Sequence, residues 1–323
     1  MADEKNIQLY EFSEKKENLR RFIFSTKETR SIVNDPLVYG LEYTNKLRVG
    51  IEHFLKSYKT IWPSELKSSK TNIVHFLRGG LNFNLRDALG NAYSWNDHGC
   101  SFMSSQRSVD ENGRWYVHED DYAKVTIPKR ATIFIGDVVA TGVTLDHGLQ
   151  KLTQIIKQQG GSIKNVVFFT IGCHKAEKIL EKYIEMWSQI FAEFEGIDLV
   201  YIEGKFHLAD TKTEATIKIL GTDLLRKDCE MAQAFIDSQS EKNTYPLERC
   251  TIYDAGSRAF DVKEYKDDVI EYWEEVKILA EKGMTTIQLL EERFPLATQA
   301  MKDQYKSIDL AELCESHLES LRD

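Results

Sequence analysis

The chain has 323 residues, 42% of them apolar, and a formal net charge of −9. The length allows one large domain or one domain with helical additions, and the apolar share supplies a sizeable core, which argues against disorder. The acidic balance argues against non-specific binding to nucleic acid or an anionic membrane.

No stretch is long and apolar enough to span a bilayer. The opening MADEKNIQLYEF lacks the basic-then-apolar order of a signal peptide. The cysteines at 100, 173, 229, 250 and 314 are scattered without CxxC spacing, the pattern of reduced thiols in a cytoplasmic protein. Cys173 beside His174 reads as a buried thiol at a strand end rather than a nucleophile or metal ligand.

Residues 1–70 are polar with helical periodicity. Leu47, Ile51, Phe54, Leu55 and Tyr58 fall on one face of a helix. Strand and helix signals then alternate. NIVHFL (72–77) reads as a strand, followed by the turn Arg78-Gly79-Gly80 and a helical LNFNLRDAL. CSFMSS (100–105) is a second strand and ATIFI (131–135) a third, whose helix ends at Gly160-Gly161. NVVFFTIG (165–172) and IDLVYIEG (197–204) are the fourth and fifth, with a helix from Lys175 to about Phe194 between them.

Such alternation predicts an α/β fold, a mostly parallel sheet flanked by helices, with added N- and C-terminal helices. Asp110-Glu111-Asn112-Gly113 reads as the turn of a hairpin arm over 106–125. Residues 118–121, His-Glu-Asp-Asp, read as a solvated hairpin tip rather than a metal site. The expected organisation is a helical extension over 1–70, a central domain over 71–262 with an insertion at about 205–250, and an acidic helical module over 263–323. There is no internal repeat or low-complexity tract.

GDVVATGVTL, residues 136–145, follows the third strand, at a carboxyl end where open α/β sheets bind ligands. Gly142 permits a positive φ, and successive N–H groups leading into a helix form an anion cradle, with Thr141 and Thr144 adding hydroxyls. The spacing is neither a Walker A loop nor GxGxxG. The turn alone is equally compatible with an ordinary strand-to-helix connection.

The stretch resembles the phosphoribosyl pyrophosphate (PRPP) motif of type I phosphoribosyltransferases. Three further segments are similar to the uracil branch of that family and occur in its chain order: FLRGGL (76–81), Gln106-Arg107 with Tyr122-Ala-Lys124-Val125, and YDAGSRAF (253–260). The resemblance implies that residues Ala140, Thr141, Gly142, Val143 and Thr144 hold the 5′-phosphate and that Asp137 contacts the ribose hydroxyls. It implies that Arg78, Gly79, Gly80, Arg107 and Lys124 meet the diphosphate, with Mg²⁺ brought by PRPP. It places Asp254 in the base-side loop with Tyr253, Gly256 and Arg258. Arg78, Asp137 and Asp254 are the expected catalytic residues.

Three positions depart from the pattern. Gly136 stands where the family carries its first acid, Ser257 where it carries a second Asp, and residues 248–253 replace its Val-Pro-Gly. The implied activity is transfer of ribose 5-phosphate to a nucleobase-like acceptor. Charge gathers on the departing diphosphate in that reaction, so cations and oriented N–H donors are required around it. The alternatives are a PRPP-fold regulator or effector subunit without turnover, and a nucleoside-cleaving enzyme on the same fold. The helical ends favour a homo-oligomer or a partner protein. Neither a membrane nor direct nucleic-acid contact is expected.

Overall fold

A computed structural model describes residues 7–62, 66–109, 115–219, 223–250, 252–256 and 258–322, with backbone alone for 105–109 and 115–121. Nine strands form one sheet in the order β1-β2-β8-β7-β6-β3-β4-β5, with β9 added against β8. They are β1 (Ile7–Glu11), β2 (Leu19–Thr26), β3 (Thr71–Leu77), β4 (Gly99–Val109), β5 (Trp115–Lys124), β6 (Ala131–Val139), β7 (Ile163–Cys173), β8 (Gly196–Leu208) and β9 (Leu224–Met231). From β2 to β4 every neighbouring pair is parallel, and the pairs β1/β2, β4/β5 and β8/β9 are antiparallel.

The mostly parallel sheet flanked by helices is the expected class. One helical layer is α1 (Lys27–Asn34), α2 (Gly40–Tyr58) and α3 (Leu85–Tyr93). The other is α4 (Val143–Gln159) and α5 (Lys175–Ile190). Both faces are covered, so β3, β6 and β7 are almost wholly buried along their length. Phe54 of α2 fits between Phe22 of β2 and Phe169 of β7, edge-on to both. Phe76 of β3 meets α4 at Gly148, where a Cβ would come within 2.7 Å of its ring.

The N-terminal segment differs from the expected helical extension. Its first 20 described residues hold β1 and β2, and β2 pairs with β8 inside the sheet. Arg20 and Arg21 make β2 look polar, but both are neutralised at long range. Arg20 Nε donates to Asp198 at 2.8 Å, and Arg21 pairs with Glu177 of α5 at 3.1 Å. The third strand also runs further than predicted, through Gly136 to Val139.

The region 205–250 holds β9, α6 (Gln233–Ser238) and a short 3-10 turn at Tyr245–Leu247. Four helices follow: α7 (Val262–Glu281), α8 (Thr286–Arg293), α9 (Gln299–Tyr305) and α10 (Leu310–Arg322). They lie outside the sheet and cover the 205–250 region. The fully buried Arg293 pairs with Asp223 through bonds of 2.8 and 3.1 Å. Trp273 Nε1 donates to Glu248 at 2.7 Å, and the Tyr272 hydroxyl to Leu247 O at 2.6 Å. Among the described residues no helix is long and apolar enough to cross a membrane.

Candidate functional site

β4 lies on one side of β3 and β6 on the other, so the chain changes direction across the sheet between β3 and β6. A crevice opens at the carboxyl ends of strands at such a switch point. The two loops singled out from sequence leave these two neighbouring strands. Arg78-Gly79-Gly80 follows β3, and residues 140–142 follow β6.

The loops touch. A Cβ on Gly79 would lie 2.9 Å from Asp137 Oδ1, and one on Gly80 would lie 3.2 Å from Gly136 O. Both glycines let the first loop settle onto the end of β6. Asp137 is buried, and its Oδ1 accepts the Val138 N–H at 2.9 Å. His75, buried and stacked on Phe102, reaches Gly80 O from below at 3.3 Å; burial holds its pKa under the usual value.

Gly142 has φ 82° and caps α4 without a side-chain hydrogen bond. A side chain there would also run into Ile179 of α5. The first N–H groups of a helix have no intrahelical acceptor, so the start of α4 presents donors. Thr141 Oγ1 is shielded from solvent and makes no hydrogen bond among the described residues. Ala140 O accepts from Cys173 Sγ at 3.5 Å. Cys173 is a buried free thiol that ends β7, and burial pushes its pKa up. Beside Thr144 a crevice runs along α4 past His147 and Lys151 to Ser104 at the level of the end of β3.

Gly136 has a physical cause. Its Cβ would come within 2.4 Å of Phe83 Cγ, and Phe83 is fully buried in the turn at Gly79–Phe83. An acidic side chain has no room there. The carboxylate of the next residue, Asp137, lies against Gly79.

The arm is less convergent. The antiparallel hairpin exists, and Gln106 and Arg107 lie on it beyond Ser104, which pairs with Leu77. The side chain of Arg107 lies outside what the structure describes, as do the side chains of residues 118–121. Lys124 is exposed and pairs with Phe102, level with His75, two places short of the end of β3.

The Tyr253–Gly256 segment meets the loop after β3 through Arg78, whose Nη2 donates to Gly256 O at 2.8 Å. Tyr253 is not a site-facing side chain. It is 4% exposed, lies among Tyr43, Phe260 and Tyr265, and donates its hydroxyl to Phe260 O at 2.5 Å. Arg258 turns toward α7, pairing with Asp268, and lies 3.7 Å from Asp254. Residue 257 is outside the described residues. Phe83 and Asp268 escaped the sequence reading; neither stands in a recognisable motif, and each is placed only by the fold, Phe83 against Gly136 and Asp268 against Arg258.

No protein-family model matches the sequence, and no curated protein matches it. Solved structures share partial likeness. A hypoxanthine-guanine phosphoribosyltransferase from Bacillus anthracis is 19% identical, over 40% of this chain and 67% of that one, with a TM-score of 0.27. A purine phosphoribosyltransferase from Pyrococcus horikoshii is 18% identical over 40% and 72%, with a TM-score of 0.25. The L. donovani hypoxanthine-guanine enzyme is 15% identical over 42% and 74%, with a TM-score of 0.29. At these identities and scores they settle neither family nor substrate, and they give no support to the finer likeness, to the uracil branch.

Proposed function

We propose that the chain binds PRPP at the β3/β6 switch point and transfers its ribose 5-phosphate to a nucleobase-like acceptor, releasing pyrophosphate. The observation that carries this is the meeting of the Arg78-Gly79-Gly80 loop with the end of β6, which leads into the 140–144 turn. The 140–144 cradle, with the Thr141 hydroxyl lacking a hydrogen-bond partner among the described residues, suits the 5′-phosphate. Arg78, Gly79 and Gly80 suit the diphosphate, and Asp137 between them suits the ribose hydroxyls.

Mg²⁺ would arrive chelated by PRPP and offset charge on the diphosphate. Asp137, against Gly79, is the carboxylate placed to share it. Among the described residues no group of three metal-ligating side chains occurs.

The second reading, a ligand-binding regulator without turnover, is favoured by one feature. Arg78 Nη2 donates to the Gly256 carbonyl, so one of the guanidinium's five N–H donors is already committed within the protein. A panel of purine and pyrimidine bases with PRPP and Mg²⁺, read as pyrophosphate release, separates the two. The transferase releases pyrophosphate with at least one base. Arg78→Ala then lowers kcat about a hundredfold or more, the scale of losing one donor to transition-state charge, with a smaller change in PRPP affinity. Tight PRPP binding without turnover on the whole panel removes the transferase reading and leaves the regulator.

A further inference from the structure

Besides the buried Tyr253, the described residues around Asp254 are fastened by their own backbone and by two arginines. Phe260 N–H donates to Asp254 O at 2.9 Å, and Ala259 and Phe260 take left-handed φ values of 48° and 61°. Arg78 fastens the segment from the β3 side through Gly256 O. Arg258 fastens it from within. Its Nη1 donates to Ile252 O at 3.3 Å and lies 3.7 Å from Asp254 Oδ2. Its Nε donates to Asp268 Oδ2 at 2.8 Å, and its Nη2 bonds the same oxygen. The arginine side chain is only 14% exposed, so this charge-assisted contact is weakly screened.

Asp268 stands in the second turn of α7, a helix that the sequence assigned to an added module. We propose that Asp268 is a positioning residue for the acceptor side of the site. By holding Arg258 toward α7, it keeps the guanidinium from closing onto Asp254 and sets the direction of that carboxylate. Without Asp268, Asp254 is the remaining carboxylate within reach of Arg258 among the described residues. The guanidinium then covers the acid that the acceptor must meet. The neighbouring Asp267 has no such part. It is exposed and pairs with Lys263 one turn away on the same helix.

This inference rests on the transferase reading for its substrate, and its test is built to separate the two. Parent protein, Asp268→Ala, Asp268→Asn and Asp267→Ala are compared in full-length form. Amide hydrogen exchange reports the loop without any turnover. Asp268→Ala speeds exchange of the Phe260 amide about tenfold, while Asp267→Ala leaves it unchanged. With turnover, Asp268→Ala raises KM for the base about tenfold, the scale of one charged hydrogen bond, and leaves KM for PRPP within about twofold. Asp268→Asn keeps an acceptor oxygen and falls between, which also covers a failure of the alanine variant to fold. Parental exchange at Phe260 together with a parental KM for the base overturns the assignment. If the parent never releases pyrophosphate, the transferase reading falls and parental exchange in Asp268→Ala alone overturns the positioning.

Discussion

Glu203 is fully buried on β8 with φ 64° and accepts a hydrogen bond from the Thr29 hydroxyl near the start of α1. Burial pushes its pKa up to about 8, against the Thr29 and Ser25 hydroxyls and Arg30, which favour the ionised form. The folded chain therefore keeps a proton that the unfolded chain releases near the ordinary carboxylate value. The stability this confers is complete below that ordinary value and is lost as pH rises through about 8. Glu203→Gln keeps the shape and removes the titration. Urea unfolding at about pH 6 and about pH 9 should show a marked loss for the parent and a smaller one for the variant. Parallel losses would show that this carboxyl does not govern alkaline stability. At this scale the local geometry was half legible. Gly79, Gly80 and Gly142 could be found because glycine marks close approach or a positive φ. Tyr253 was misplaced because an aromatic beside a motif looks the same in sequence whether it faces a ligand or a core.

At the scale of elements, the strand that carries the site was read as ending at residue 135 because Gly136 looks like a terminator. Phe83 fills the space that a side chain would need, and the strand continues. Gly136→Asp should destabilise the fold by about 1–3 kcal/mol through overpacking. Phe83→Ala alone should cost about 3–5 kcal/mol by cavity formation. Combined, the two should cost clearly less than their sum, since the ring that clashes is gone. Additive losses in a thermodynamic cycle would show that Phe83 is not what excludes the acid. The N-terminal strands went unseen for a related reason. The partners that neutralise Arg20 and Arg21 lie at Asp198 and Glu177, beyond any local window.

At the scale of the whole molecule, the four C-terminal helices are bound into the core. Tyr265, Val269, Trp273 and Leu290 belong to the same buried cluster as the sheet. Ending the chain after Asp261 would strand Asp223, fully buried, without Arg293. Breaking one partner of a buried pair costs about 3–5 kcal/mol before the lost apolar burial is added. The shortened chain should lose its cooperative thermal transition or precipitate. A sharp transition near the parental temperature would mark the helices as separable. The charged periodicity identified the helices, but the acids facing Arg293 and Trp273 lie in the irregular 205–250 region, which carries no periodic signal.

The pairing of β2 with β8 has a consequence for how this protein is made. Leu19 meets Ile197, 178 positions later. A ribosome releases β2, with Phe22 and Phe24 fit for burial, well before its parallel neighbour, which follows 178 positions later. Until then one edge of an apolar strand stands open, the condition that invites aggregation and chaperone attention. Contacts so distant along the chain also slow folding, because a large loop must close before they form. Nascent chains stalled before about residue 200 should be protease-sensitive at the N-terminal strands, and completion of β8 is the step that should protect them.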